Sequence, residues 1–160
     1  MKKLALWLTL IPLLGLIGCG VKSSQAYYNY DSKILSSELD GTYNIRAFGR
    51  ARNAVAAFNE AKKQAVYDVV FRGVQSDNSR VNSLRPLLQE VNAKDKYEDY
   101  FNTFFVDGGA YTQFVSLHDT RILSEEWHRA RTQVLVQASV TVDRAALKKK
   151  LIEDNILKNE

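Results

Sequence analysis

The most regular alternation of apolar and polar residues lies near the end of the chain. From Thr132 to Val142 every second residue is Val, Ala or Thr, and the residues between them are polar except for Leu135. A period of two predicts a β-strand with one buried face. Asp143 follows as the N-cap of a last helix. The apolar stripe of that predicted helix consists of Leu147, Leu151 and Ile152.

An alanine-rich segment carries a helical period earlier in the chain. Within residues 50–73 apolar side chains recur at spacings of four, three, four and four, which predicts a long amphipathic helix that ends at Gly73. The recurring residues are Ala54, Phe58, Ala61, Ala65 and Val69. Residues 43–49 follow the turn signal Asp40-Gly41 and form the first predicted strand.

Aromatic residues dominate a second predicted helix, at residues 94–105. Five of them fall at i, i+3, i+4, i+7 and i+8, so they share one helix face. They are Tyr97, Tyr100, Phe101, Phe104 and Phe105. The pattern favours a face buried in the core, and an aromatic ligand-binding face is the alternative. Residues 75–85 are a predicted loop, residues 86–91 a short helix opened by Pro86, and residues 111–118 a strand.

These elements follow one another in the order β-α-(α)-α-β-β-α. The last two strands are adjacent in the chain, and the helices that precede them need a common surface to pack on. The order predicts an α+β fold with helices packed on one face of a small antiparallel sheet. Residues 39–160 are enough for a single domain with a core of its own.

The first 18 residues have a different pattern. Lys2 and Lys3 precede a segment without charge, residues 4–18, which is typical of a secretory signal peptide. Leu16-Ile17-Gly18-Cys19 then resembles the bacterial lipobox. The resemblance implies cleavage before Cys19, a diacylglyceryl group on its sulfur and usually a third acyl chain, such as palmitate, on the freed amine. The alternative is an uncleaved leader with an incidental cysteine.

Two or three acyl chains hold a protein at a membrane far more firmly than one. Position 20 is Gly and not Asp, which resembles lipoproteins that are released to the outer membrane. We therefore expect a lipid-anchored protein of the cell envelope, in the outer membrane and with a periplasmic domain.

Residues 19–38 are polar and lack a clear period, so they are predicted to be the lipidated N-terminus and a flexible tether. Tyr27, Tyr28 and Tyr30 are unusual in such a segment. They are candidate interaction residues at the lipid interface or on a partner, or they pack back on the domain. Trp127 is a further candidate for interaction.

Candidate chemistry is sparse. Cys19 is the only cysteine, so the mature domain has neither a thiol nucleophile nor an internal disulfide. His118 and Asp119 are neighbours on a predicted strand and point to opposite faces, so they do not build a triad. His128 lacks a second histidine at metal-binding spacing. We predict no catalytic residue, no metal ligand and no cofactor.

The charge of the chain argues against nucleic acid as a partner. The formal net charge of +4 falls by two when Lys2 and Lys3 leave with the signal peptide. No basic stripe interleaved with aromatic residues is present, and no Gly-Lys-Ser/Thr phosphate-binding motif occurs. The run Lys148-Lys149-Lys150 is typical of a solvated helix face.

Two sequence motifs resemble those of a known protein family. Gly49-Arg50 leads into the alanine-rich helix, and Val-x-Val-x-Ala-x-Val-x-Val-Asp143 leads into Leu147 and Leu151. Together they resemble the small envelope lipoproteins related to the amino-terminal domain of flagellar assembly protein T. The resemblance covers residues 41–151 and implies a protein without enzymatic activity that associates with envelope structures. The aromatic helix is not part of that pattern.

The sequence thus predicts a non-catalytic, membrane-anchored lipoprotein whose domain binds other envelope proteins. An accessory role in a secretion or motility apparatus is one form of this hypothesis. The alternative is a ligand- or glycan-binding lipoprotein that uses the aromatic face from Tyr97 to Phe105, together with Trp127, as a stacking platform.

Overall fold

The computed structural model describes residues 30–77, 79–128 and 131–158, with the side chains of residues 124–128 and 131–132 left aside. The elements in chain order are β1 (Lys33–Ser37), β2 (Thr42–Ala51), α1 (Ala54–Tyr67), a π-helical turn (Asp68–Arg72), β3 (Gln75–Ser76), α2 (Ala93–Lys96), α3 (Glu98–Phe104), a 3₁₀ turn (Ala110–Phe114), β4 (Val115–His128), β5 (Arg131–Asp143) and α4 (Arg144–Glu153).

The strands form one sheet in the order β3-β1-β2-β5-β4. All neighbours are antiparallel except β1 and β3, which are parallel. The predicted α+β class is confirmed, but the sheet is mixed and not purely antiparallel, because the two-residue β3 joins β1 in parallel. The helices α1 and α4 and the inner side of the sheet contribute side chains to a single hydrophobic core.

The centre of the sheet lies very close to α1. Ile45, Ala47 and Gly49 of β2 are buried on the side that faces this helix. A Cβ atom on Gly49 would lie 1.9 Å from the Ala57 carbonyl oxygen and 2.5 Å from the Ala61 nitrogen. No side chain fits there, so this position requires glycine. The small residues of α1 allow the approach. The predicted helix is confirmed over Ala54–Tyr67, whereas residues 50–51 belong to β2 and residues 68–72 form the π-helical turn.

Side-chain caps start both long helices. The Asn53 side chain accepts a hydrogen bond from the Ala56 nitrogen at 2.8 Å, and Asp143 accepts one from the Ala146 nitrogen at the same distance. Each cap satisfies a backbone donor that has no partner within its helix. The predicted last strand and last helix are both confirmed, with Leu147 and Leu151 fully buried and Ile152 only half-buried.

Ordered structure starts earlier than the sequence predicts. Strand β1 lies within the segment interpreted as a tether, and Ile34 is buried opposite Ile45 of β2. The tether prediction is therefore wrong for residues 33–37, and residue 39 is too late as a domain start. Five residues with a single buried apolar side chain are too few to show a period in the sequence.

Three other element predictions are wrong in part. Residues 86–91 form no helix, because the Leu87 and Leu88 N–H groups donate to the carbonyls of Val69 and Val70 in the π-helical turn. The aromatic helix is interrupted at Tyr97, between α2 and α3. Residues 110–114 are a 3₁₀ turn and not a strand, with β4 beginning at Val115.

Candidate functional site

The edge strand β4 exposes apolar side chains that belong, by register, to the helix side of the sheet. Ile122 lies opposite Val136, and Leu117 lies opposite Val140. Both valines are fully buried, whereas Ile122 is 52 % and Leu117 is 43 % exposed. The reason is that α1 packs mainly on β2 and β5 and reaches β4 only at its margin. We call Leu117, Thr120 and Ile122 the β4 surface.

Strand β4 also has an outer edge. It pairs with β5 on one side, and no strand of the described ranges pairs with its other side. Register shifts at His118 and Leu123 divide it into shorter stretches. Such bulges limit unspecific edge-to-edge pairing. Between them the Thr120 N–H donates to the Asp119 side chain at 2.7 Å, so a partner strand that pairs here would replace this contact.

A cleft between α1, the π-helical turn and α3 is lined by aromatic rings. Its volume is about 280 Å³. The ring centroids of Tyr67 and Phe71 are 4.8 Å apart, and Phe71 meets Phe101 edge to face at 4.7 Å. Phe105 completes the aromatic lining, and the Lys94 ammonium, which also lines the cleft, lies 5.7 Å from the Tyr67 ring centroid. The cleft is shaped for a flat or apolar group of small size.

The predicted aromatic face serves mainly the core. Phe101 and Phe104 are buried, which confirms that interpretation for these two residues, while Tyr97, Tyr100 and Phe105 are half-buried. The Tyr100 hydroxyl donates to Asp154 at 2.7 Å. Burial, helped by this carboxylate, holds the pKa of Tyr100 far above its ordinary value, so the hydroxyl stays protonated.

Asp68 and Ser32 are the two buried polar residues in the described part of the chain. The Ser32 hydroxyl donates to the Asp68 carboxylate at 2.6 Å, and Gln64 donates to its other oxygen at 2.8 Å. Arg72 lies 3.6 Å away. Burial raises the pKa of Asp68, and the hydrogen bonds from Ser32 and Gln64 and the charge of Arg72 oppose the rise.

This cluster fastens the start of the domain to the end of α1. Ser32 directly precedes β1, and Asp68 opens the π-helical turn. The two residues are 36 positions apart, and neither stands in a motif, so no local pattern in the sequence indicates that they meet. The π-helical turn is the feature that the sequence analysis missed here.

The structure places the predicted site residues apart from one another. Tyr30 packs its ring against Phe48 with centroids 5.3 Å apart, which agrees with the alternative that it packs back on the domain. His118 is exposed at the first bulge of β4. The residues that lie outside the described residues, or whose side chains do, are Cys19, Tyr27, Tyr28, Trp127 and His128.

The described residues contain neither a membrane-spanning helix nor a cluster of metal ligands. None of the helices in these ranges has the length and apolar character needed to cross a membrane. No group of three or more His, Cys, Asp or Glu side chains in the same ranges is arranged to hold a metal ion.

Comparison of the chain with known proteins gives no match. No family model, no curated protein and no solved structure matches the chain. The resemblance to lipoproteins related to flagellar assembly protein T and the lipobox at Cys19 stay predictions.

Proposed function

We propose that this protein is a non-catalytic, membrane-anchored lipoprotein whose domain binds another protein of the cell envelope through the β4 surface. Cys19 carries the lipid in this proposal, and the domain lies in the periplasm at the outer membrane. The resemblance to flagella-related lipoproteins supports an accessory role in a secretion or motility apparatus.

One observation carries the proposal: side chains on the core side of the sheet are left half exposed on its edge strand. A partner that covered Leu117 and Ile122 would remove apolar surface from water, which stabilises a complex by roughly 25 cal/mol per Å² before the costs of association. The adjacent strand edge would add main-chain hydrogen bonds and fix the orientation of the partner. Both features lie on one element.

A second function is favoured by the aromatic cleft. The rings of Tyr67, Phe71 and Phe105 and the nearby Lys94 ammonium would suit a small ligand or a sugar ring that stacks on them. This alternative uses a different face from the β4 surface, so the two functions make different forecasts for the same set of variants.

Site-specific photo-crosslinking in intact cells tests the first proposal. A photoreactive residue at Ile122 should give a discrete crosslinked protein band, because this side chain would lie in the interface. The same residue at Arg121 is the matched control, since Arg121 is also exposed on β4 but points to the opposite side of the sheet. Crosslinks should be at least several times weaker there.

Equal crosslinking from Ile122 and Arg121, or none from either position, would contradict binding through the β4 surface. Loss of function on Phe105→Ala with unchanged crosslinking from Ile122 would favour the ligand-binding alternative instead.

The membrane anchor has its own test. Cys19→Ala should abolish metabolic labelling by an alkyne fatty acid, because the thioether forms only on sulfur. Persistent label on the Cys19→Ala chain would rule out this anchor without bearing on the β4 surface.

A further inference from the structure

Besides the aromatic cleft, a further cavity lies where α4 meets the segment that follows Pro86 and the residues after α4. Its volume is about 460 Å³. One part of its wall is apolar, and there the buried side chains are Leu87, Leu88 and Ile156. The cationic side chains that line it are Arg144, Lys148 and Lys158. We call this cavity the basic pocket.

Arg144 has an incomplete set of partners. Its Nε atom is buried and without a hydrogen bond, and it is the one such side-chain atom found in the part of the chain that the structure describes. Within the described ranges, this guanidinium donates one hydrogen bond, from Nη2 to the Arg85 carbonyl at 3.4 Å. The side chain as a whole is half-buried and lines the cavity, so its other N–H donors can reach a ligand oxygen there.

The charges of α4 are divided between two faces. Lys149 pairs with Glu153 at 3.8 Å, and Lys150 pairs with Asp154 at 2.8 Å. Arg144 and Lys148 lie one turn apart on a different face and line the basic pocket. Neither forms an ion pair with a described carboxylate, so their charge is not balanced within the described ranges.

Among the described residues, the acidic and polar groups around the basic pocket do not neutralise it. Glu90 lines the cavity, but its carboxylate accepts a hydrogen bond from Lys96 at 2.7 Å. Asp143 is used as the cap of α4. Gln89 and Tyr97 add uncharged polar side chains to the lining. The described lining of the cavity therefore carries an excess of positive charge beside an apolar wall.

We propose that the basic pocket binds an organic phosphate, with its phosphate oxygens on Arg144 and Lys148 and its carbon chain against Leu87 and Leu88. A guanidinium and an ammonium suit a phosphate group, and guanidinium offers it paired donors. The ligand is either a soluble phosphate ester or the headgroup of a phospholipid. The site is separate from the β4 surface and does not depend on the function proposed for it.

Binding should be measured with the full chain carrying Cys19→Ala, titrated with butyl phosphate, inorganic phosphate and butanol by calorimetry. Butyl phosphate should bind saturably and more tightly than inorganic phosphate, because only the ester reaches the apolar wall, and butanol should not bind. Arg144→Gln should weaken butyl phosphate binding at least tenfold. Lys149→Gln, which removes the same charge from the other face of α4, should change it less than twofold.

Thermal unfolding separates a ligand-binding role of Arg144 from a structural one. Because its Nε lacks a partner, Arg144→Gln should leave the Tm without ligand unchanged or raise it. Butyl phosphate should raise the Tm of the wild type and not that of Arg144→Gln. If Arg144→Gln does not fold, Lys148→Gln takes its place, with the same expected loss of binding and of the ligand-induced shift.

Vesicles distinguish the two sources of the phosphate. Binding to phosphatidylglycerol vesicles that is lost in Arg144→Gln and kept in Lys149→Gln would identify a lipid headgroup. Butyl phosphate binding without vesicle binding would identify a soluble ester. The proposal is overturned if the Cys19→Ala chain without a further change shows no saturable binding of butyl phosphate, or if Lys149→Gln weakens it as much as Arg144→Gln does.

Discussion

The centre and the edge of the sheet carry similar apolar side chains but differ in how far these are buried. Val136 and Val140 of β5 are fully buried beneath α1, while their partners on β4, Ile122 and Leu117, stay half exposed on the same side of the sheet. Burial here is decided by the reach of one helix, not by the hydrophobicity of the residues. The uncovered strip is where a partner would complete the core.

The first test changes both members of one cross-strand pair. Val136→Asp should lower the free energy of unfolding by about 4 kcal/mol or more, since an unpaired charge would enter the core. Ile122→Asp should cost about 1 kcal/mol or less, because water reaches that position. Chemical denaturation of both variants measures the difference. Equal losses of stability in the two variants would mean that the register of β4 on β5, or the position of α1 over the sheet, is wrong.

In the same pair, only Ile122→Asp should separate stability from function. The folded variant should lose the crosslinked partner, whereas Val136→Asp should lose function through unfolding. A folded Ile122→Asp variant with full function would remove the reason for placing the partner on β4.

The second test concerns the close approach of α1 to β2 at Gly49, in the centre of the sheet. Gly49→Ala should cost about 3 kcal/mol, since its Cβ would collide with the backbone of α1, and no truncation of a side chain can make room. Gly108→Ala is the control. Its Cβ would meet nothing within 4 Å, so it carries only the cost of a positive φ, about 1 kcal/mol. Thermal or denaturant unfolding should rank the two variants in that order.

The third and smallest effect is a dependence of stability on pH, caused by Asp68 at the C-terminal end of α1. Because burial raises the pKa of Asp68, its contribution to stability is full below its ordinary value of 3.8 and is lost as the pH rises through the folded pKa. Asp68→Asn should therefore gain stability relative to the wild type as the pH increases from about 3 to 7. Unfolding curves at several pH values measure this trend.

Ser32→Ala gives an independent check on Asp68. It removes a hydrogen bond that lowers the pKa of this carboxyl, so the pKa should rise further and the loss of stability should extend to higher pH. A parallel pH profile for Ser32→Ala and the wild type would contradict the proposed role of the cluster.

Regular periods made the central elements predictable. Residues 132–142 repeat every second position, and the alanine-rich helix repeats every three or four, so the sequence predicts both, as it predicts the Asp143 cap. It does not predict strand β1 or the break at Tyr97, because a five-residue strand and a single non-helical residue leave no period. The predicted helix after Pro86 is wrong because the hydrogen bonds of this segment go to the distant Val69 and Val70.

By itself, the sequence determined the α+β class, the buried face of β5, the alanine helix and the residues from which an anchor at Cys19 is inferred. These depend on neighbours in the chain, whose spacing can be read directly. Only the tertiary structure decided that α1 stops short of β4, that Ser32 meets Asp68, and that Arg144 lines a cavity without a partner for its Nε. Each of these depends on contacts between distant segments. No local pattern encodes how far a helix packs across a sheet or which charged group is left without a partner.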